Sequence, residues 1–528
     1  MVSEAKSAAT PIAATRLGKL KGDATEDIIV YRGIPYAAAP VGERRWKAPI
    51  APATWSGIRA STSFGANCLQ NPAAWLSNSD HARYSEDCLF LNVWRPREVI
   101  RNAPVLVWIH GGAFIHGGTS FPVFDGSAFA RQGVVFVSIN YRLGRQGFFA
   151  HPSLTREAAG PLGNYGYLDQ IKALEWVRSN IAAFGGDPHR VTVMGESAGG
   201  ISVLDLLVSP LAKGLFQQAV VMSGGGRAAM SNHPLHDDGR AGTSAEANGI
   251  AFAGAVGLAD AEHQTPEALR SLPAEVLLGG LTGSNLGISG DIKGSDRTFS
   301  GTHVGGPIID GQIKLSLIDD AIRRGDAARI PVMIGTTSAD LPVPTGQTKD
   351  ELFATFGHKA VEARKAFDPS GDIPAGTLRD EITRDRLLVE PARFVAKEVA
   401  KSGQHAWLYD FGYIASSKRT EWTGVPHGGD TATFFDTMRA QFGTDATSDE
   451  DDRAVRVVNA YLVNFVRRGD PNGTDRDGRA LPVWADFAAA PSKVMALYGD
   501  RSTGMVERSD NEKMDLIEAS VSGLQPEK

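Results

Sequence analysis

The run Val191-Thr192-Val193-Met194-Gly195-Glu196-Ser197-Ala198-Gly199-Gly200 sets the tightest limit on what this chain can become. Its first residues are apolar or β-branched and read as a short buried strand. A Gly-x-Ser-x-Gly pentapeptide follows at once, and Ile201 to Val208 begins a helical run. Strand, glycine-flanked serine and helix, in that order, describe a nucleophile elbow, a strained turn that exposes Ser197 at the end of a sheet. Side chains at the flanking glycines would collide with neighbouring backbone. The helix start adds unpaired N–H groups and a positive dipole end beside the hydroxyl. The plain alternative is a Gly-rich turn between two elements. It is displaced only if the rest of the chain supplies a base, an acid and oxyanion donors.

The chain can hold such a site. At 528 residues, with 42% hydrophobic and 22% charged, it has ample material for a core. The net charge of −6 argues against a nucleic-acid partner, which needs a basic face. No apolar run approaches the roughly 18 residues of a membrane helix. Met1 to Ala14 has no apolar centre and does not read as a secretory signal, which leaves a removed signal open. Only Cys68 and Cys88 occur, which excludes a cysteine-built metal site or a CxxC redox pair. Two free thiols and one disulfide both stay open at this point.

Apolar runs recur along the chain: Cys88 to Trp94, Pro104 to Ile109, Gly133 to Arg142, the elbow strand, Phe216 to Met222, Ile330 to Ile334, Ala406 to Tyr409 and Val494 to Leu497. Between them lie helical patterns. Leu168, Ile171, Leu174, Val177 and Ile181 recur at helical period; the acidic run Asp445 to Asp452 reads as a solvated loop leading into a helix, Ala454 to Arg467, whose Val455, Val458, Leu462 and Phe465 share a face. Strands alternating with helices predict an α/β fold with a mainly parallel sheet covered on both faces. Residues 15–36 read as a small antiparallel ribbon and 35–60 as ordered coil. Residues 225–305, rich in Gly, Ala, Ser and Asp, read as an insertion over the carboxyl edge of the sheet, where ligands bind. Residues 503–528 read as a polar, loose tail. No repeat or low-complexity linker interrupts 1–528, so one domain is expected.

A serine hydroxyl needs a base, usually histidine, and in this topology the order is Ser, acid, His. Of the histidines after Ser197, His427 fits best, in Gly424-Val425-Pro426-His427-Gly428-Gly429-Asp430, where glycines let a side chain turn inward. The acid must lie between them after a strand end. Asp340 follows the strand Ile330 to Ile334, and Asp310, in Pro307-Ile308-Ile309-Asp310-Gly311, is the rival. Asp340 is favoured. The acid would fix the imidazole tautomer and stabilise the imidazolium. His110-Gly111-Gly112-Ala113-Phe114 follows a strand and is built of small residues whose N–H groups can approach a carbonyl.

Together these pieces resemble the type-B carboxylesterase family, the cholinesterase-like branch of the α/β-hydrolases. The likeness runs through Gly33 to Ala37, Ser85 to Trp94, His110 to Phe114, Asn140 to Gly144, Gly163 to Gly166, and Phe184 to Pro188 ahead of the elbow. The resemblance implies an α/β-hydrolase fold and a serine hydrolase that cleaves small-molecule carboxylic esters through an acyl-enzyme. Its nucleophile would be Ser197, its base His427, and its oxyanion donors Gly112, Ala113 and Ala198. It also implies a disulfide between Cys68 and Cys88, a buried Glu196 beside the nucleophile, and Ser223 near the acid and base. No metal or cofactor is implied, and the oligomeric state, monomer or dimer, stays open.

Three departures stand out. Ala339-Asp340-Leu341 replaces the usual Asp-Glu-Gly, Ala113 replaces a common third glycine, and Gly429-Asp430 replaces a small residue plus Glu. Amide or carbamate cleavage by the same groups, and an inactive adhesion or scaffold protein, are the alternative functions. The bridge favours a periplasmic or secreted location, with the cytoplasm as the alternative. Trp75, His81, Arg83, Phe114 and Arg227 are candidates to line the pocket. Arg227 either reads a substrate carboxylate or serves the structure.

Overall fold

The computed structural model describes residues 11–522 apart from 72–82, 99, 159, 228–232, 238–243, 280, 282–305, 342–347 and 500–501. Among the described residues an eleven-stranded sheet organises the chain. Its strands are β1 (Asp23–Ala24), β2 (Ile28–Pro35), β3 (Phe90–Pro96), β4 (Ala103–Ile109), β5 (Val135–Ile139), β6 (Gly186–Glu196), β7 (Gln218–Met222), β8 (Val332–Thr337), β9 (Ala406–Phe411), β10 (Lys493–Leu497) and β11 (Gly504–Glu507). They lie in the order β11-β10-β9-β8-β7-β6-β4-β5-β3-β2-β1. From β10 across to β5 every pairing is parallel, and antiparallel strands close both edges.

The central strands are apolar on both sides because both faces are covered. On β4, Val105, Val107 and Ile109 enter one core, while Leu106 and Trp108 enter the other. Helices α1 (Tyr165–Asn180), α2 (Ala198–Val208) and α3 (Glu390–Lys401) cover the first face. Helix α4 (Asp449–Arg468) covers the second with Val455, Val458, Leu462 and Phe465. Contrary to the loop expected there, the second half of the acidic run, Asp449 to Asp452, is the first turn of α4. Ser448 caps it in a reciprocal box with Asp451, and the carboxylates sit on the positive end of the helix.

Two further expectations are corrected. The ribbon over 15–36 divides: Ile12–Ala14 pairs with Lys19–Lys21, but the apolar Ile28–Pro35 joins the large sheet as β2. The tail is not loose through residue 522. Strand β11 pairs with β10, and the helix Asn511–Ser522 buries Met514 and Ile517 in a third core with Phe353, Phe356 and Phe367. Leu516 and Val521, partly buried, pack against the same core, and the polar residues between these four hid the pattern. Much of 225–305 lies outside the described residues. Its described helices pack on the segment 142–158, with Phe252 against Phe149 and the Arg145 guanidinium donating to the Leu277 and Gly279 carbonyls.

Cys68 and Cys88 form a disulfide 20 residues apart. No described helix is long and apolar enough to cross a membrane.

Candidate active site

The elbow forms where β6 ends at Glu196 and α2 begins at Ala198, with Ser197 between them at φ 57°, ψ −123°. Contacts explain its glycines. A Cβ on Gly195 would lie 2.3 Å from the Gly199 carbonyl, and one on Gly199 would lie 2.1 Å from the Ile109 oxygen. Strand β4 neighbours β6, so the loop after β4 falls against the elbow. A Cβ on Gly111 would meet the Glu196 carboxyl at 2.6 Å and the Ser197 Cβ at 3.0 Å.

That loop is strained. Gly112 has φ 105°, and the non-glycine residues Ala113 and Phe114 sit at φ 54° and 63°. Left-handed backbone costs an L-residue about 1–2 kcal/mol. Hydrogen bonds hold it: the Ile115 and His116 N–H groups donate to the Gly112 carbonyl, and Gly144 N–H donates to the Phe114 carbonyl at 2.6 Å. Among the described residues, the Gly112 and Ala113 N–H groups have no acceptor. The Ala198 N–H, at the first position of a helix, has no intrahelical one.

Three side chains the sequence singles out meet here. The Ser197 hydroxyl donates to His427 Nε2 at 2.7 Å, and His427 Nδ1 donates to Asp340 Oδ1. The second Asp340 oxygen accepts from Ser223 Oγ at 2.5 Å and from Thr337 N–H at 3.1 Å. The acid and base loops are stitched together although 87 residues separate them. Ala339 N–H donates to the Val425 carbonyl, Val425 N–H donates to Ser338 Oγ, and Ala339 bridges Pro426. The His427 side chain remains 23% exposed, so a substrate can reach it. Asp310 is not brought to this cluster: one of its oxygens accepts the N–H groups of Gln312, Ile313 and Lys314, closing its own turn.

Two more carboxyls face the imidazole. Glu196 Oε1 is 3.4 Å from His427 Nε2, and Asp430 is buried nearby. Burial lifts Glu196 to about 7, opposed by His427 and reinforced by Asp340. Burial, then Glu196 and Asp340, push Asp430 well above the carboxylate range. For His427 burial disfavours the cation, but the charges of Asp340 and Glu196 outweigh it and raise the group to about 9. Tyr409 brings its hydroxyl to the same cluster because Gly335, its partner on β8, leaves room for the ring to cross the strand. Sequence reasoning noticed Asp430 only as a departure and missed Tyr409 and Ser338. The position of Asp430, three residues after the base, was the available signal.

The pocket candidates fare differently. Arg227 does not stand free for a substrate: it is buried, paired through two hydrogen bonds with Glu390, and stacked on Phe394. Phe114 is fully buried, its ring edge-on to Phe148 and Tyr167, so it backs the loop rather than facing the cleft. Arg83 is exposed and donates to the Phe64 carbonyl. Trp75 and His81 lie outside the described residues. Among the described residues no group of three or more His, Cys, Asp and Glu side chains is arranged to hold a metal ion.

The family model described as "Carboxylesterase family" matches residues 9–361 and 376–516. The chain belongs to the carboxylesterase family. Fumonisin B1 esterase of Sphingopyxis macrogoltabida is 35% identical over 430 residues, 79% of this chain and 71% of that protein. Para-nitrobenzyl esterase of Bacillus subtilis (strain 168) is 34% identical over 476 residues, 87% of this chain and 90% of that protein. A solved PNB esterase superposes with a TM-score of 0.78 at 29% identity, covering 96% of this chain and 99% of its own. A thermophilic PNB esterase gives 0.77 at 29% identity, covering 96% and 100%. The fold is that of the α/β-hydrolases, and this carboxylesterase hydrolyses carboxylic esters. The amide-cleaving and inactive alternatives are not favoured.

Proposed function

We propose that Ser197, His427 and Asp340 are the catalytic residues and that hydrolysis runs in two steps. Ser197 Oγ bonds to the acyl carbon while its proton passes to His427 Nε2. The carbonyl oxygen takes the negative charge and receives hydrogen bonds from the N–H groups of Gly112, Ala113 and Ala198. The carbon–alkoxide bond then breaks, His427 returns the proton to the departing alcohol, and an acyl-enzyme remains. Water repeats the sequence and frees the acid. Asp340 holds the tautomer with Nδ1 protonated and stabilises the imidazolium. Each lost oxyanion donor would cost roughly 3–4 kcal/mol of transition-state stabilisation.

The observation that carries this reading is the unbroken hydrogen-bond chain from Ser197 through His427 to Asp340 beside N–H groups without acceptors. Ser197→Ala is expected to abolish hydrolysis of para-nitrophenyl acetate and labelling by a fluorophosphonate probe. Undiminished turnover would overturn the mechanism.

Residues 1–528 act as one catalytic unit in this reading, with 225–305 bounding the substrate cleft. Burial of Arg227 against Glu390 supports a substrate class of small esters that this residue does not select by charge. The disulfide supports a periplasmic or secreted location.

A further inference from the structure

The donors assigned to the oxyanion hole come from two segments far apart in sequence, Gly112 and Ala113 after β4 and Ala198 at the head of α2. No covalent link fixes their spacing, and the first segment holds left-handed backbone at Ala113 and Phe114. Helix α1 touches both. Tyr167 stands edge-on to Phe114 at 6.0 Å between ring centres, and Phe148 closes the group at 5.0 Å from Phe114 and 5.5 Å from Tyr167. The Tyr167 hydroxyl donates at 2.6 Å to Asp205, which lies on α2 and is itself held by the buried Lys314 ammonium. One turn along the same face of α1, Gln170 Nε2 donates at 3.0 Å to Ser202 Oγ. The Ser202 hydroxyl donates in turn at 2.8 Å to the Ala198 carbonyl, on the very residue whose N–H points at the hole. Tyr167, Gln170, Ser202 and Asp205 are each at most 1% exposed.

We propose that Tyr167 and Gln170 are positioning residues that grip both halves of the oxyanion hole from one face of α1 and set the distance between them. This rests on the assignment of Gly112, Ala113 and Ala198 as donors. Tyr167 orients the loop through the Phe114 ring while its hydroxyl anchors that ring to α2. Gln170 fixes the Ser202 hydroxyl and through it the first turn of α2. Packing alone would need neither polar group, since a phenylalanine and a methionine would fill the same space.

The test uses the full chain carrying Tyr167→Phe or Gln170→Met, both of nearly unchanged volume. Hydrolysis of para-nitrophenyl butyrate is measured together with inhibition by an alkyl trifluoromethyl ketone and by its methyl ketone counterpart. The trifluoromethyl ketone bonds to the serine and places an oxyanion in the hole, whereas the methyl ketone binds without doing so. In each variant kcat is expected to fall about tenfold, less than outright donor loss, with KM changed by less than about twofold. Preference for the trifluoromethyl ketone should shrink by the same factor as kcat. A variant with a lower melting temperature but wild-type kcat and ketone preference would overturn the proposal, as would a change confined to KM. Should one substitution prevent folding, the other still decides, because each grip is predicted to matter alone. A wild-type enzyme with no preference between the ketones would instead overturn the oxyanion assignment itself.

Discussion

The site has two halves built on opposite terms. Around the elbow and the loop after β4 the determinants are small residues, close approach and strained backbone: Ser197 at φ 57°, Ala113 at 54°, and a Gly199 that has no room for a Cβ. Around His427 they are charges, with Asp340, Glu196 and Asp430 buried near one imidazole. The first half fails when atoms collide. The second fails when protons are miscounted. Damage to the first should therefore lower the rate at every pH, while damage to the second should bend the pH profile or remove the needed tautomer.

The sharpest way to break this contrast is Asp340→Asn, which leaves the shape of the charged half intact. Loss of the correct tautomer predicts a fall in kcat of about 10⁴-fold. Asp310→Asn is the control and should leave kcat near wild type; the reverse pattern in steady-state assays would reassign the acid. Next comes Gly199→Ala, whose added carbon would sit 2.1 Å from the Ile109 oxygen. Displacement of the elbow should cost about 100-fold in kcat/KM with no change in the shape of the pH profile. A profile that shifts would show that the two halves are not separable.

The smallest effect is expected from Glu196→Gln. His427 must be neutral to accept the serine proton, and nearby negative charge raises it to about 9. Activity should therefore climb as pH rises, and removing the Glu196 charge should move that climb to lower pH by about one unit. Because Glu196 itself titrates near 7, the difference between the enzymes should be largest above that pH. Superimposable kcat/KM profiles would mean that Glu196 carries no charge the imidazole feels.

What could be read from the chain follows the same division. The elbow was legible because its strand, turn and helix are adjacent in sequence, and the sheet because its strands are apolar on both faces. His427 and Asp340 followed from order along the chain. What escaped depended on partners brought close only by folding. Arg227 looked available until Glu390, 163 residues on, took its guanidinium. Tyr409 reaches the carboxyl cluster only because strand order sets it beside Gly335. Phe114 looked like a wall of the cleft, since nothing in the local sequence reveals which way an αL residue turns its ring. The end of the chain reads as loose for a simpler reason: the four apolar residues that dock its last helix, Met514, Leu516, Ile517 and Val521, are diluted by polar neighbours.

The stitching of Ala339 to Val425 and Pro426 makes the acid and base loops a single inheritable part. A histidine loop transplanted from a related esterase would arrive without the partner edge it was cut to match. Recombination between such enzymes should therefore succeed when both loops come from the same parent, and leave silent chimaeras when they do not.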